Sequence, residues 1–287
     1  LSSVPLHLQL FYEMGFKAPK YAHIAPIMKN DEGNKRKLSK RKDPEAAVSY
    51  YSELGIPKEA VKEYLINIAN SSFENWRRAN PDKSIDEFDF QLNKMSVSGA
   101  LFDMVKLLDV SKSVISRYDA EKVYNTSYEW ATRHDEKLKE LLDQKEYAMK
   151  VIGIERGNEK PRKDIAKWSD LKDNIIYMYE APTKFDYDKI TGEDAKKVIE
   201  EYAKTFDIND DKQTWFDKIK ELSGELGYAK EVKEFKENPG KWTAHVGDVS
   251  TVLRAALTAR TNTPDMYEIM NVWGKESVIK RLEKAIG

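Results

Sequence analysis

Residues 248–287 read "DVSTVLRAALTARTNTPDMYEIMNVWGKESVIKRLEKAIG". Within 248–259, Val249, Val252, Leu253, Ala256 and Leu257 recur at three- and four-residue spacing, which is one apolar face of a helix. "NTPDMYEIM" predicts a further helix, with Thr263 as its cap and Pro264 at its first position, where a missing N–H is harmless. "GKESVIKRLEKAIG" closes the chain in the same style. No strict apolar–polar alternation occurs here, so the end of the chain is helical and not a β-barrel.

The same pattern extends upstream. Trp215, Ile219, Leu222 and Leu226 share one side of a helix over 212–227. Thr191 with Asp194 resembles a capping box for a helix over 192–206. Ser169, with Asp170 behind it, suits an N-cap. Residues 118–152 are long, charged and periodic. Residues 153–168 interrupt them with two glycines, a proline and basic residues. "SGALFDMVKLLDV" (98–110) carries an apolar stripe, and 79–90 is a turn-rich connector. Val61, Tyr64, Leu65 and Ile68 fall at helical spacing after Pro57. Gly55 is expected to stop a helix that begins at Pro44 and Glu45. Only the beginning differs: 7–14 reads as a short helix, and "YAHIAPIM" (21–28) as a short buried strand. The fold class is therefore mainly α: a short α/β segment over 1–45, then helical units over 46–120 and 121–287.

Composition narrows the function. The 287 residues hold 48 Lys plus Arg against 49 Asp plus Glu, so any nucleic-acid site must be a local patch. Cysteine is absent, which excludes disulfides and thiolate metal sites and fits a reducing compartment. The four histidines lack ligand spacing, so no metal site is expected. No apolar run is long enough for a membrane span. The first residues have neither a signal-peptide pattern nor an initiator Met, so the chain reads as a piece of a longer protein.

One patch stands out. "GNKRKLSKRKDP" (33–44) groups Lys35, Arg36, Lys37, Lys40, Arg41 and Lys42 around Ser39. On charge alone, a solvated loop or a localisation tract is as good a reading as a functional site. The arrangement adds more: Gly33 supplies a turn, Leu38 an anchor, and Lys37 and Lys40 flank a hydroxyl. Such a loop, self-repelling and expected to be mobile over 28–42, can close on a polyphosphate.

"KLSKR" resembles the second signature of class I aminoacyl-tRNA synthetases, in the form carried by bacterial-type glutamyl-tRNA synthetases. "SSVPLHLQLFYEMGF", "YAHIAPIM", "GNKRKLSKRKDPEA" and the whole of 248–287 are similar to the same family, in the same order. The resemblance implies that 1–45 ends a Rossmann-type catalytic domain, that 46–120 contacts the tRNA stem, and that 121–287 is an all-helical anticodon-binding domain. It implies ATP with Mg2+ as cofactor of the whole enzyme. Lys37, Leu38, Ser39, Lys40 and Arg41 would lie at the ATP, with Lys40 the catalytic member. It implies tRNA-Glu as partner, with tRNA-Gln also open, and glutamate and ATP as substrates. A cytoplasmic location follows, with no membrane or DNA partner. The family's HIGH-like motif is not found around any histidine, so this chain alone is expected not to activate glutamate and to hold no bound cofactor.

The second basic patch, 156–167, has an ordinary reading as an inter-helix loop. The resemblance places Arg162 on an arginine that reads the third anticodon base, and Arg254 on another anticodon-contacting arginine. Thr263, Pro264 and Met266 fall where small and apolar residues hold the first two bases; the family usually has leucine at the last position. Another departure lies at "LDVSKS" (108–113), where the family more often reads a "WMN"-like stretch. "VSKSV" (110–114) echoes the signature but sits in a helical pattern without a glycine hinge. Trp130, Trp168, Trp215 and Trp242 read as packing residues. The competing reading is a non-enzymatic helical RNA-binding or scaffold module with an incidental basic loop.

Overall fold

The computed structural model describes residues 2–95, 98–238 and 240–287. Two compact units divide between Val114 and Ile115. The first holds helix α1 (Val4–Glu13), strands β1 (Met28–Asp31) and β2 (Asn34–Lys37), and helices α2 (Val48–Leu54), α3 (Lys58–Ala69) and α4 (Phe73–Ala79). Helix α5 (Met104–Ser116) carries the chain across the divide. The second unit holds α6 (Ala120–His134), α7 (Glu136–Asp143), α8 (Lys145–Gly153), α9 (Leu171–Tyr179), α10 (Gly192–Thr205), α11 (Lys212–Glu225), α12 (Val232–Glu237), α13 (Val246–Thr258) and α14 (Met266–Ile286).

The mainly helical expectation holds, and its element boundaries explain the departures. Residues 21–27 are not a buried strand; Tyr21 and Ile24 are exposed, and among the described residues the only ladder bond there is Leu38 N–H to the Ile27 carbonyl. A strand needs neighbours along its length, and among the described residues 21–26 has none. The expected loop over 28–37 is instead an antiparallel hairpin, with Met28 opposite Lys37 and Lys29 opposite Arg36. Its turn is Glu32-Gly33, both at positive φ (50° and 89°), the geometry that matches the twist of a two-residue hairpin. Pro44–Ala46 form one 3-10 turn, and the helix restarts at Val48 because Ala47 is extended. Gly55, left-handed at φ 81°, ends α2 as expected.

In the second unit the periodic segment 118–152 is three helices. Asp135 breaks it and caps α7, accepting from Leu138 N–H. Ser169 lies inside a 3-10 turn and not at a cap. Thr191 precedes α10 without a side-chain cap bond. Thr263 and Pro264 lie before α14, whose cap is Asp265, accepting from Glu268 N–H at 3.1 Å.

The core of this unit is α10 packed on α13 and α14. Val198, Ile199, Val249, Ala256, Ile269 and Val278 are all essentially inaccessible. Each valine or isoleucine side chain among them contributes about 1.5–3 kcal/mol on burial. Several polar groups within the core are paired, while the buried Tyr179 and Tyr187 hydroxyls and Trp242 Nε1 have no hydrogen-bond partner among the described residues. Trp215 Nε1 donates to the Tyr202 hydroxyl at 2.8 Å. The carbonyl of Met178, in the last turn of α9, accepts from the Tyr147 hydroxyl (2.7 Å), Trp273 Nε1 (3.0 Å) and Arg281 Nη2 (3.5 Å). Arg281 is itself buried, 4.0 Å from the Trp273 ring centre. Gly274, at φ 76°, kinks α14 just after that contact.

Candidate functional site

The first unit carries the basic tract. Beyond the hairpin, Ser39–Asp43 form a tight turn: Lys42 N–H and Asp43 N–H both donate to the Ser39 carbonyl, at 3.1 and 2.8 Å. Lys37, Lys40 and Arg41 are exposed, and Leu38 and Ser39 are half-buried. Lys37, Lys40 and Arg41 form no ion pair among the described residues. The tract does not simply repel itself, because Arg36 and Lys29 both pair with the buried Asp43.

The second unit brings together residues from opposite ends of its sequence. Residues 154–168 leave α8 through Glu155, left-handed at φ 57°. Glu155 N–H donates to Glu268 Oε2 at 3.1 Å, and Asp265 N–H donates to Glu155 Oε2 at 3.2 Å. This double tie holds the loop against the start of α14. Arg162 then reaches the same region. Its Nε donates to Asp164 Oδ2 at 2.5 Å and its Nη2 to Asn262 Oδ1 at 3.2 Å, leaving Nη1 without a partner among the described residues.

Arg254 projects from α13 toward the loop after it. Its Nη1 donates to the Thr263 carbonyl, the Thr263 hydroxyl and the Pro264 carbonyl, at 3.1, 2.7 and 3.3 Å. Among the described residues its Nε and Nη2 have no acceptor. Burial, and then the like charge of Arg162, lowers the Arg254 pKa. Tyr177 on α9 sits among them: burial pushes its hydroxyl up to about 12, while Arg260, Arg162 and Arg254 oppose the shift. Arg260 lies 5.1 Å from the Tyr177 ring centre, and its guanidinium donates to the Asp173 carbonyl.

Arg162, Pro264, Asn174 and Tyr177 line one cavity of about 80 Å³. Arg254 and Met266 line a larger one of about 530 Å³, with Lys212, Trp215 and Phe216. Met266 is buried there, its sulfur 3.5 Å from the Thr263 hydroxyl. Arg260, Asn262 and Tyr177 are additions to the residues read from sequence. Arg260 had one signal, its place just after a helix and on the loop of Thr263; Tyr177 had none. Among the described residues no cluster of acidic, histidine or cysteine side chains could hold a metal ion, and no helix is long and apolar enough to cross a membrane.

A surface that presents guanidinium donors, beside a cavity lined by the half-buried rings of Trp215 and Phe216, suits unpaired nucleotides. Residues 136–286 match the anticodon binding domain family. This is more than half of the chain, and the chain belongs to that family. More particularly, it is similar along nearly its whole length to glutamate–tRNA ligases. It is 49% identical over 296 residues to that of Clostridium perfringens strain SM101, covering 99% of this chain and 53% of that protein. It is 44% identical over 290 residues to that of Acetivibrio thermocellus, covering 100% and 53%. The chain thus spans about half the length of the curated relatives it matches. A crystal structure of a glutamate tRNA ligase from Elizabethkingia meningosepticum, in complex with its amino acid, shares the fold. Its TM-score is 0.64 at 24% identity, over 99% of this chain and 55% of that one.

Proposed function

We propose that the chain is the C-terminal, tRNA-binding part of a glutamate–tRNA ligase. In this reading 1–45 ends the catalytic domain, 46–120 meets the tRNA stem, and 121–287 reads the anticodon. The partner is tRNA-Glu, with tRNA-Gln as a second partner if the ligase has relaxed specificity. Glutamate and ATP with Mg2+ are the substrates of the whole cytoplasmic enzyme. Lys37 and Lys40 contact the ATP phosphates, Lys40 acting most in the transition state, with Leu38, Ser39 and Arg41 completing the loop. These ammonium groups offset charge that develops as pyrophosphate leaves.

The observation that carries the anticodon reading is the convergence of Arg162, Arg254 and Pro264 from distant segments on one surface. Thr263 and Met266 lie in its wall and set the loop, while Arg254 keeps two of its nitrogens for a base or phosphate. Arg162 is held by Asp164 at Nε, so Nη1, together with Nη2 once it exchanges Asn262 for a base, can present two donors. A glutamate tRNA ends its anticodon in C, whose pairing edge offers two acceptors, N3 and O2. The G that ends a glutamine anticodon instead presents N–H donors to a group that has only donors. Bidentate arginine contacts discriminate bases by roughly 1–3 kcal/mol.

The test is binding of both tRNAs to wild type and Arg162→Gln at matched salt. An amide both donates and accepts, so the variant should bind tRNA-Glu more weakly and lose much of its preference over tRNA-Gln. A preference ratio unchanged by the substitution would remove Arg162 from the anticodon contact.

A further inference from the structure

Lys29 and Arg36 lie directly opposite each other across the hairpin. Like charges in that position destabilise a strand pair. One carboxylate answers both. Asp43, 2% exposed, accepts from Arg36 Nη1 and Nη2 at 2.7 and 2.8 Å, and its Oδ1 lies 3.2 Å from Lys29 Nζ. The same carboxylate accepts from Ser39 N–H at 2.8 Å, while Asp43 N–H donates back to the Ser39 carbonyl at 2.8 Å. The turn that presents Lys40 and Arg41 is thus closed at both ends by one residue. Lys29 also pairs with Glu45, and Arg36 with Asp31. The basic tract therefore has two populations: Arg36 turned inward onto acidic partners, and Lys37, Lys40 and Arg41 exposed without any among the described residues.

We propose that Asp43 and Arg36 are positioning residues for the nucleotide-facing turn, with Arg36 bracing Asp43 instead of meeting a phosphate. The inference rests on the reading of 37–41 as the ATP-facing loop. Asp43 fixes Ser39 and so sets where the Lys40 ammonium starts, which lowers the cost of ordering the turn on ATP. Arg36 supplies a planar fork that matches the carboxylate, and a lysine cannot reproduce it.

Amide hydrogen exchange on the full chain tests the latch. Asp43→Asn and Arg36→Lys should each speed exchange at Ser39 by about tenfold or more, because charge-assisted bonds to the amide's acceptor are weakened. Lys35→Ala, a neighbouring charge change outside the latch, should leave it unaltered. Unchanged peptides from α13 report that each variant is folded. Wild-type exchange at Ser39 in folded Asp43→Asn overturns the proposal. In the intact ligase, ATP–pyrophosphate exchange tests the role. A phosphate ligand would tolerate Arg36→Lys, which keeps the charge. A brace predicts that Arg36→Lys lowers kcat as Asp43→Asn does, with KM for glutamate unchanged. It also predicts that the double variant is no worse than Asp43→Asn alone. Near-normal kcat in Arg36→Lys, or fully additive losses, overturns the role. An intact wild-type ligase without glutamate-dependent exchange counts against the ligase reading instead, and the Ser39 amide still decides the latch.

Discussion

Arg254 and Thr263 are joined twice, Nη1 of the arginine donating to both the carbonyl and the hydroxyl of the threonine. One side chain from α13 therefore shapes the loop that leads into α14. This contact also explains why Thr263 does not cap α14. Its hydroxyl accepts from Arg254, and Asp265 takes over at the helix end.

Arg254→Ala should lower stability by about 1–3 kcal/mol, the range for hydrogen bonds to a charged donor whose acceptors become unpaired. Urea unfolding measures the loss. Exchange at residues 260–266 should rise in the variant, while exchange in α6 stays as in wild type. A wild-type unfolding midpoint would show that the loop holds itself.

Two glycines of the first unit should respond to alanine for different reasons. Gly33 sits at φ 89° in open space, so Gly33→Ala costs about 1 kcal/mol of backbone strain, and Gly33→Asn should recover part of it. A Cβ on Gly99 would lie 2.5 Å from Met28 Cγ and 2.6 Å from the Pro26 carbonyl oxygen. Backbone cannot step aside as a side chain can. Gly99→Ala should therefore be the more damaging, disturbing the bonds of Met28 to Ala100 and Phe102. Thermal unfolding of the two variants ranks them.

The hairpin should be acid-resistant. Hydrogen bonds from Arg36 first, then from Ser39 N–H and Lys29, hold the Asp43 carboxyl well below its ordinary value of 3.8, against the opposing effect of burial. A carboxyl depressed by folding stabilises the folded form fully above the unfolded value. That contribution is lost as pH falls from there through the lower folded value. The Ser39 amide resonance should therefore titrate with a midpoint below 3.8, and Asp43→Asn should abolish that titration. A midpoint at or above the ordinary value would mean that the pairs do not form in solution.

In the second unit, Ile269→Ala should cost about 2–5 kcal/mol, since the side chain is completely enclosed and its removal leaves a cavity. Val105 on α5 is 71% exposed, and Val105→Ala should stay within about 0.5 kcal/mol of wild type. Chemical denaturation compares the two.

The helices were readable where one apolar face repeats. Residues 192–206 and 212–227 were expected, and α10 and α11 end within two residues of them. The hairpin was not readable: "MKND" and "NKRK" contain no β-branched or aromatic residue, and their pairing depends on Asp43, which lies outside both strands. Leu65 fits the helical stripe yet is 42% exposed, because α3 buries Ala60, Glu63 and Tyr64 instead. At the arginine surface, Arg162 and Arg254 were named through family resemblance. Their convergence was not legible, since it depends on backbone ties made by Glu155 and Asp265, which carry no local pattern.

The Met178 carbonyl has a consequence for how this protein can change. Three side chains from two helices, α8 and α14, supply one acceptor at the end of α9. Redundancy of this kind buffers substitution. Loss of the Tyr147 hydroxyl alone leaves the acceptor satisfied by Trp273, so Tyr147→Phe should carry little penalty. The penalty emerges only when two are lost together, as a coupling larger than the sum of the single effects. The Arg254–Thr263 contact has no such reserve. Neighbouring positions of one domain thus differ in how freely their sequences can wander, the helix junction through spare donors and the loop through the want of them.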